Sequence, residues 1–326
     1  MTNILIFIIA ILVIATLVQI VRVSELLSEI KNKDVNEVTD KDNNTQGLLF
    51  LVVGFGFLIF CIWQMITWNH LLLPPASSVH GTQIDLLMKV SMGLIIVVFF
   101  ITSPMLFYFA FKYRGKKSNN AYFLSHNNKL EVVWTVIPTI ILTVLIIFGL
   151  KTWDNAMNVQ VTESTKLIEV YAKQYNWTAR YSGLDNKLGK ANYKLVKGKN
   201  TLGVDMLDIN SADDKMAREV HLVVNEPVLL KFRSQDVIHS AFLPHFRVQM
   251  NCVPGITTQF GFTPNKTTAQ MKESEGEDFE YVLLCNKICG ASHFNMQMKF
   301  IVETQEEYDI WIASQDNLEK KLLTQK

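Results

Sequence analysis

The sequence predicts a membrane anchor of about four α-helices followed by an all-β domain of the barrel or sandwich type. The first 150 residues contain four long apolar segments without charged side chains, whereas from residue 166 onward apolar residues recur with a period of two. The charges divide in the same way, because the first 150 residues hold 10 of the 31 Lys and Arg and 8 of the 30 Asp and Glu. A chain that is 49% hydrophobic, with a mean hydropathy of +0.18 and a net charge of +1, is neither disordered nor suited to nucleic acid.

The four apolar segments span residues 4–21, 47–68, 90–111 and 132–150. A helix needs about 20 predominantly apolar residues to cross the hydrocarbon layer of a bilayer, so we interpret each segment as a membrane-spanning helix. A signal peptide is the alternative for residues 4–21. No basic residue precedes that segment and no small-residue cleavage site follows it, which favours a retained helix.

The basic residues between the segments predict the orientation in the membrane. Lys and Arg are concentrated after the first and third segments, and only Lys89 lies between the second and third. The cations are Arg22, Lys31, Lys33 and Lys41 in the first loop, and Lys112, Arg114, Lys116, Lys117 and Lys129 in the other. Since basic loops remain in the cytoplasm, the chain beyond residue 150 is predicted to lie outside it.

The segments with alternating apolar residues predict strands at 167–171, 219–224, 228–232, 257–262, 279–284 and 298–302. Residues 183–216, rich in Gly, Lys, Asn and Asp, are predicted to form a polar insertion exposed to solvent. Residues 304–323 have helical spacing and carry Glu306 and Glu307 near their start, so a helix is predicted there.

Two thiols, an imidazole and a thioether follow the fifth predicted strand, in Cys285, Cys289, His293 and Met296. Soft sulfur ligands together with imidazole favour copper. A disulfide would leave the spacing of His293 and Met296 unexplained, and a thioether is a poor ligand for zinc. A mononuclear blue-copper site is the closest alternative, but the additional Cys285 favours two metal ions bridged by two thiolates.

Such a dinuclear site needs a second histidine from a distant loop. Three of the seven histidines flank the membrane segments, and another lies within the predicted strand at 219–224. That leaves His239 and His245, which follow the strand at 228–232, where a ligand loop at one end of a sandwich is expected. The residues alone leave both candidates open.

Several segments together resemble subunit II of the haem–copper cytochrome c oxidases. They are DVIHS at 236–240, the Pro-Gly pair at 254–255, the run at 285–296 and LEVVWTVIP at 130–138. The resemblance extends over about residues 84–326 and leaves residues 1–80 outside. It implies a cupredoxin β-barrel that holds a dinuclear copper centre, CuA.

The resemblance also implies which residues bind the copper ions. The ligand set is Cys285 and Cys289 bridging both ions, His239 with Met296 on one ion, and His293 with the backbone carbonyl of Lys287 on the other. His245 is then not a ligand. The family usually has Glu in place of Lys287, and that Glu also reaches a magnesium ion, which an ammonium group cannot bind.

The function implied by the resemblance is electron transfer from a cytochrome c-type donor through CuA to haem in subunit I. Haem and CuB in that partner would reduce oxygen to water, coupled to proton translocation. Tyr175 and Trp177, in QYNW at 174–177, match the aromatic patch that receives the electrons, with Tyr175 where the family has tryptophan. Glu131 matches a carboxylate that takes up protons.

These observations predict an organisation and a location. Residues 1–80 add helices to the family's hairpin at 81–153, and residues 154–326 form the copper domain, on the periplasmic side of a bacterial inner membrane. Partners are subunit I, other oxidase subunits and lipid. The 21 basic and 22 acidic residues beyond residue 150 nearly balance, which predicts weak charge steering and suits a tethered or complex-bound donor. The alternative function is a membrane-tethered copper-binding protein without redox turnover.

Overall fold

The computed structural model describes residues 2–30, 38–158, 162 and 164–318, with the side chains of residues 2–6 excepted. Four long helices lie in this part of the chain: α1 (Thr2–Ile30), α2 (Asp40–Trp68), α3 (Val79–Lys112) and α4 (Asn128–Met157). All four are long and apolar enough to cross a membrane, which confirms the predicted segments. Lys31 and Lys33, counted among the loop cations, lie outside the described residues.

The chain divides into two compact units, and the first contains α1, α2 and the C-terminal part of α3. Within this unit α2 packs closely against α3, because Gly54 lies so near the ring of Phe107 that an added Cβ atom would collide with it. Polar contacts continue the packing beyond the apolar residues: Arg114 donates to the side-chain oxygen of Asn44 at 2.7 Å. Contacts from residues of α2 therefore hold this helix against α3 and against the residues that follow α3.

The second unit contains the start of α3, all of α4 and the outer β domain. Among the described residues the strands are β1 (Lys166–Lys173), β2 (Asn176–Tyr181), β3 (Lys215–Ala217), β4 (Val220–Val223), β5 (Val228–Ser234), β6 (His239–Leu243), β7 (Val248–Cys252), β8 (Thr258–Phe262), β9 (Tyr281–Cys285) and β10 (Gln297–Glu303). They form two five-stranded sheets, ordered β3-β2-β1-β5-β8 and β4-β10-β9-β6-β7. β1 pairs in parallel with β5 and β10 with β4, whereas the other pairs are antiparallel. The predicted all-β domain is confirmed.

The apolar residues of both sheets form one core. Val170 and Leu230 from the first sheet and Phe300 from the second have no exposed surface and belong to the same buried cluster. Burial of such apolar surface is the dominant favourable term in folding. Ala156, near the end of α4, belongs to that cluster as well, so the last membrane helix is anchored in the core of the β domain.

The insertion at 183–216 packs on the outer face of β1. Leu202 and Val204 of the insertion are buried and form a second small cluster with Tyr171 of β1 and Leu318. The sequence predicted that this segment is exposed to solvent, and that description holds for Leu184 but is wrong for these buried residues. The polar composition of the insertion gave no indication that Leu202 and Val204 cover strand β1.

A buried ionic cluster also holds the insertion. Arg180 of β2 lies 2.7 Å from Glu169 of β1 and 2.7 Å from Asp214 at the end of the insertion. Its guanidinium also donates to the carbonyl oxygen of Gly189 at 2.8 Å. Arg180 therefore joins β1 to both ends of the insertion, and its buried charge is paired with the carboxylates of Glu169 and Asp214.

The start of α3 is joined to the β domain at the end where β6 stops and β7 begins. Arg247 makes two hydrogen bonds to the carboxylate of Asp85, at 2.8 and 2.9 Å, and donates to the carbonyl oxygen of Pro74 at 2.6 Å. The backbone N–H of Ser77 donates to the carbonyl oxygen of His245 at 2.7 Å. Bidentate arginine–carboxylate pairs are geometrically specific, so this junction fixes how the chain enters the domain.

Two shorter helices complete the domain, α5 (Thr268–Glu275) and α6 (Gln305–Ser314). α6 begins at the predicted place with Thr304 as its N-cap but ends at Ser314, and residues 319–323 of the predicted helix lie outside the described residues. The sequence did not predict β2, β3, β6, β7 or α5. These elements are short, and neighbouring chain segments rather than their own periodicity determine their structure.

Candidate metal centre

Strand ends bring the predicted ligands to one end of the second sheet. His239 is the first residue of β6, Cys285 is the last residue of β9, and Met296 immediately precedes β10. The loop between β9 and β10 carries Cys289 and His293. Because β6 and β9 pair in antiparallel fashion, the start of one strand lies beside the end of the other.

Two cysteine sulfurs lie at the centre of this cluster, and their Sγ atoms are 3.9 Å apart. The Sγ atom of Cys285 lies 3.8 Å from Nδ1 of His239 and 3.3 Å from the carbonyl oxygen of Lys287. The imidazole nitrogen and the sulfurs of Cys285 and Cys289 all lie within 4.8 Å of one another. The backbone oxygen of Lys287 is therefore within the cluster, while its side chain is exposed.

The second sulfur has two further donor atoms beside it. The Sγ atom of Cys289 lies 3.6 Å from Nδ1 of His293 and 3.9 Å from Sδ of Met296. Met296 and Cys289 are both buried, so this side of the cluster is shielded from water. The structure thus brings together all six residues of the ligand set that the resemblance implied.

The donor set fits a pair of copper ions. A metal–thiolate bond is about 2.3 Å long, so an ion can bond simultaneously to two sulfurs separated by 3.9 Å. The same separation is far longer than a disulfide bond of about 2.05 Å, and the described cysteines are free thiols. Sulfur and imidazole donors are the ligands that copper prefers. These residues can therefore hold two ions that share both sulfurs.

The protonation of the site depends on burial. Burial, with the neighbouring Cys285 thiol, raises the pKa of Cys289 to about 11. The free thiol is therefore protonated near neutral pH. Because a metal binds the thiolate, metal binding at this cysteine releases a proton.

Asp236 orients one of the imidazole rings. Its Oδ1 atom lies 2.8 Å from Nε2 of His239, on the side of the ring opposite to the sulfurs. Its Oδ2 atom accepts a hydrogen bond of 2.7 Å from the backbone N–H of Gln174. A carboxylate in this position fixes both the orientation and the tautomer of a metal-binding histidine. The motif DVIHS at 236–240 contains Asp236, but the sequence did not indicate this role.

The turn between β1 and β2 is attached directly to the ligand loop. The side-chain amide of Gln174 donates to the carbonyl oxygen of Cys289. The hydroxyl oxygen of Tyr175 accepts a hydrogen bond of 3.0 Å from the backbone N–H of Ala291. Between them lies Gly290, with φ of +138°, where an added Cβ atom would collide with the tyrosine hydroxyl. The sequence contained no signal for these contacts beyond the unusual tyrosine.

The other predicted functional residues occupy different environments. Trp177 is buried, and its ring centroid lies 6.0 Å from that of His239. Tyr175 is half-buried rather than fully exposed. Glu131 lies in the first turn of α4 and is exposed, so the structure does not bring it to the metal centre.

The second histidine candidate lies at the opposite end of the sandwich. His245 follows the end of β6, and its ring packs against Phe279 and Tyr281 with centroid distances of 5.0 and 5.6 Å. Only His239 of the two candidates reaches the cysteine sulfurs. The structure therefore distinguishes between two candidate histidines that the sequence alone did not distinguish.

Matches to protein families cover both parts of the chain. Residues 66–152 match the family described as "Cytochrome C oxidase subunit II, transmembrane domain", and residues 167–304 match "Cytochrome C oxidase subunit II, periplasmic domain". Together the matches cover more than half of the 326 residues. The chain belongs to the cytochrome c oxidase subunit II family.

Relatives of this subunit II occur in several bacteria. "Alternative cytochrome c oxidase subunit 2" of Bradyrhizobium diazoefficiens is 27% identical over 272 residues, which cover 82% of this chain and 91% of the relative. "Cytochrome c oxidase subunit 2" of Synechocystis sp. is 25% identical over 285 residues, 82% of each chain. A solved structure, the periplasmic domain of subunit II of cytochrome oxidase of Bradyrhizobium japonicum, is 24% identical and covers 49% of this chain and 99% of its own, with a TM-score of 0.33.

Membership in the subunit II family confirms three predictions. The protein is part of an oxidoreductase complex of the haem–copper type. It is an inner-membrane protein, and its C-terminal domain corresponds to the periplasmic domain of the family. The family match begins at residue 66, so α1 and nearly all of α2 lie outside it. The division into residues 1–80, 81–153 and 154–326 stays a prediction.

Proposed function

We propose that this subunit accepts one electron at a time from a c-type cytochrome at a dinuclear copper centre and passes it to haem in subunit I. The observation that carries the proposal is the cluster of four donor atoms around two sulfurs that lie 3.9 Å apart. When bound, two copper ions that share both thiolates supply a one-electron redox couple. Oxygen is reduced to water at haem and CuB of subunit I, with proton translocation.

The proposed division of the ligands between the two ions follows the resemblance to the family, and their donor atoms all lie beside the two sulfurs. The set consists of Cys285 and Cys289 as bridging thiolates, His239 with Met296 for one ion, and His293 with the carbonyl oxygen of Lys287 for the other. The three remaining side chains, His239, His293 and Met296, are neutral donors when the imidazoles are unprotonated. The lysine side chain does not take part, because a backbone oxygen serves whatever side chain the residue carries.

The protein holds these ligands in fixed positions. His239 and Cys285 are in adjacent paired strands, Asp236 holds the histidine ring, and Tyr175 holds the ligand loop. A site whose ligands are restrained in this way changes little in geometry when an electron arrives. Little reorganisation favours rapid electron transfer in both directions.

Tyr175 and Trp177 support the assignment of the turn between β1 and β2 as the place where electrons enter the protein. Tyr175 reaches the ligand loop through its hydroxyl group, and Trp177 lies edge-on to His239 with a centroid distance of 6.0 Å. The half-buried tyrosine and the buried tryptophan thus connect the turn between β1 and β2 to two sides of the metal centre. We assign the acceptance of electrons to this turn.

Glu131 is proposed to take up protons for subunit I. It lies at the start of α4, which the distribution of basic residues predicts to be the cytoplasmic end. An acidic residue at the end of a membrane helix faces water in the simplest case. The functional assignment rests on its match to the family motif LEVVWTVIP at 130–138.

Electron paramagnetic resonance of the purified oxidase complex tests the copper assignment. A copper pair that shares one unpaired electron gives a seven-line pattern, whereas mononuclear copper gives four lines. Cys285→Ser and Cys289→Ser are each expected to abolish the seven-line pattern, because each sulfur bonds to both ions.

His245→Ala is the matched control, since His245 lies at the other end of the domain, and its copper content is expected to remain that of the parent chain. A seven-line pattern that persists in either serine variant would contradict the bridging assignment. Copper that no reduced cytochrome c can reduce would instead indicate a copper-binding protein without redox turnover.

A further inference from the structure

A shallow groove of about 220 Å³ lies beside the turn between β1 and β2. Three cationic side chains line it, those of Lys173, Lys199 and Arg218. Asn176 and Gln235 supply uncharged polar groups, and neither Asp nor Glu is among the lining residues. The groove is therefore lined by charges of one sign.

The three cations are available to a partner. Lys173, Lys199 and Arg218 are all exposed, and none of them forms an ion pair among the residues that the structure describes. They come from three separate segments, namely the end of β1, the insertion and the residue after β3. The fold, and not a local run of basic residues, assembles the charge.

Two carboxylates of segments that border the groove, Glu169 and Glu219, have other partners. Glu169 is buried between Arg180 and Arg233. Glu219, which follows Arg218 in the chain, lies 3.3 Å from Nε2 of His221. Glu169 is therefore offset by two arginines, whereas the partly exposed Glu219 remains a single negative charge beside the three cations of the groove.

Asp236, the carboxylate at the metal centre, is also engaged. It accepts hydrogen bonds from the backbone N–H groups of Gln174 and Val237 and lies 2.8 Å from Nε2 of His239. Lys287 adds a further exposed cation on the ligand loop itself. The exposed cations Lys173, Lys199, Arg218 and Lys287 therefore outnumber the exposed carboxylate of Asp236 at this end of the domain.

Apart from Asp185 and Asp236, the exposed acidic residues that the structure describes in this domain cluster at its other end. They lie on α5 and α6, where β9 begins and β10 ends, and include Glu273, Glu275, Glu306, Glu307 and Asp309. The near balance of charge over residues 151–326 thus conceals a separation between the two ends. Local charge at the docking face, and not the sum over the domain, steers an approaching protein.

We propose that this groove docks an acidic face of the electron-donating cytochrome. The proposal rests on the proposed function, because it specifies the chemistry of the donor for that same copper centre. Lys173 directly precedes Gln174 and Tyr175, so a protein seated on the groove lies over the turn that contacts the ligand loop. In each encounter the haem iron of the donor loses one electron and the copper pair gains it.

Stopped-flow reduction of the copper pair in the purified oxidase complex tests the proposal. The donors are two reduced, soluble c-type cytochromes, one with net negative and one with net positive surface charge. The rate constant with the negative donor is expected to fall roughly tenfold as salt rises from about 10 to about 200 mM, because charge steering is screened. The positive donor is expected to be slower at low salt and to gain speed as salt is added.

Arg218→Glu and Lys173→Glu are expected to slow reduction by the negative donor about three- to tenfold at low salt, with an unchanged seven-line copper spectrum. The matched control is Lys272→Glu on α5, which makes the same change in charge at the opposite end of the domain. Its rate constants are expected to remain within about twofold of the parent chain.

Three results would overturn the docking proposal. The first is that the positive donor reduces the copper pair faster than the negative donor at low salt. The second is that Lys272→Glu and Arg218→Glu change the rate constants equally. The third is that inorganic phosphate slows reduction at constant ionic strength although the negative donor is not preferred. The last result would assign the groove to a small anion. If the unmodified complex shows no seven-line spectrum, by contrast, the proposed function itself is contradicted.

Discussion

At the scale of single residues, the metal centre depends on three side chains that are not among its ligands. Gln174 and Tyr175 hold the loop that carries Cys289, and Asp236 holds the ring of His239. Asp236 also accepts from the backbone of Gln174, so these three residues connect the turn, the histidine and the ligand loop. Mutation of residues that orient metal ligands typically lowers metal affinity or activity by about 10- to 100-fold.

Tyr175→Phe is predicted to loosen the ligand loop while it retains the aromatic ring. The variant removes the hydroxyl that accepts a hydrogen bond from Ala291, and a hydrogen bond of this kind contributes about 1 kcal/mol. Loss of copper to an excess of chelator is expected to be about fivefold faster than in the parent chain. The measurement is the decay of the copper spectrum in the purified complex.

Tyr193→Phe provides the control, because Tyr193 lies in the insertion with 73% of its surface exposed. Equal rates of copper loss in the two variants would show that the Tyr175 hydroxyl does not restrain the loop. Slower electron transfer with unchanged copper loss would place the effect on the electron route alone.

At the scale of structural elements, the insertion at 183–216 is held to the first sheet by buried charges. Burial opposes the ionised form of Glu169, but Arg180 and Arg233 outweigh that effect and hold its pKa below the usual value. Asp214 behaves in the opposite way, since burial raises its pKa to about 6 despite the attraction of Arg180. One of its oxygens, Oδ1, has no hydrogen-bond partner in the described structure, in keeping with an incompletely compensated charge.

Asp214→Asn is predicted to change how stability depends on pH. The folded chain binds a proton at Asp214 more tightly than the unfolded chain, because the pKa rises from 3.8 to about 6. Between pH 4 and pH 6 the free energy of unfolding of the parent should therefore fall relative to that of the variant. The expected difference is roughly 2 to 3 kcal/mol, since each pKa unit corresponds to about 1.4 kcal/mol.

Thermal unfolding of the full chain in detergent, followed by the circular dichroism of the β domain, measures this difference. Only the comparison between parent and variant matters, because other carboxylates with lowered pKa, such as Glu169, act in the opposite direction in both chains. Parallel stability curves from pH 4 to pH 6 would show that the carboxyl group of Asp214 titrates normally.

At the scale of the whole molecule, four apolar helices and two basic loops define a topology. Four crossings predict that the N-terminus lies on the same side of the membrane as the β domain, which the family match identifies as periplasmic. The described part of the loop after α3 carries Arg114, Lys116 and Lys117, which is typical of a cytoplasmic loop. The helices and the charges therefore agree.

Cysteine labelling in intact cells is predicted to report this topology. Leu184→Cys, at a position with 98% exposure in the insertion, should react with a membrane-impermeant maleimide. Ser118→Cys, exposed in the loop after α3, should react only after the membrane is permeabilised. The parent chain without either substitution is the control, because it shows how far the native cysteines react. Labelling at position 118 in intact cells would mean that one helix does not cross the membrane, and α1 would be the first candidate.

The amino-acid sequence by itself determined the features that depend on local pattern. Four membrane helices follow from apolar length and the absence of charge. Four of the proposed ligands, Cys285, Cys289, His293 and Met296, follow from one short segment. Strands such as β1, β5 and β10 follow from the alternation of apolar residues. In each case the information lies within about twenty neighbouring residues, which is the range over which periodicity and ligand spacing can be recognised.

Only the tertiary structure decided which distant residues meet. His239 and His245 have similar sequence surroundings, but the pairing of β6 with β9 brings one to Cys285 and carries the other to the opposite end. Gln174 contacts the backbone of Cys289 across 115 residues of chain, and the groove cations come from three separate segments. Such contacts depend on strand pairing and register, which are set by packing over the whole domain rather than by the properties of any one segment.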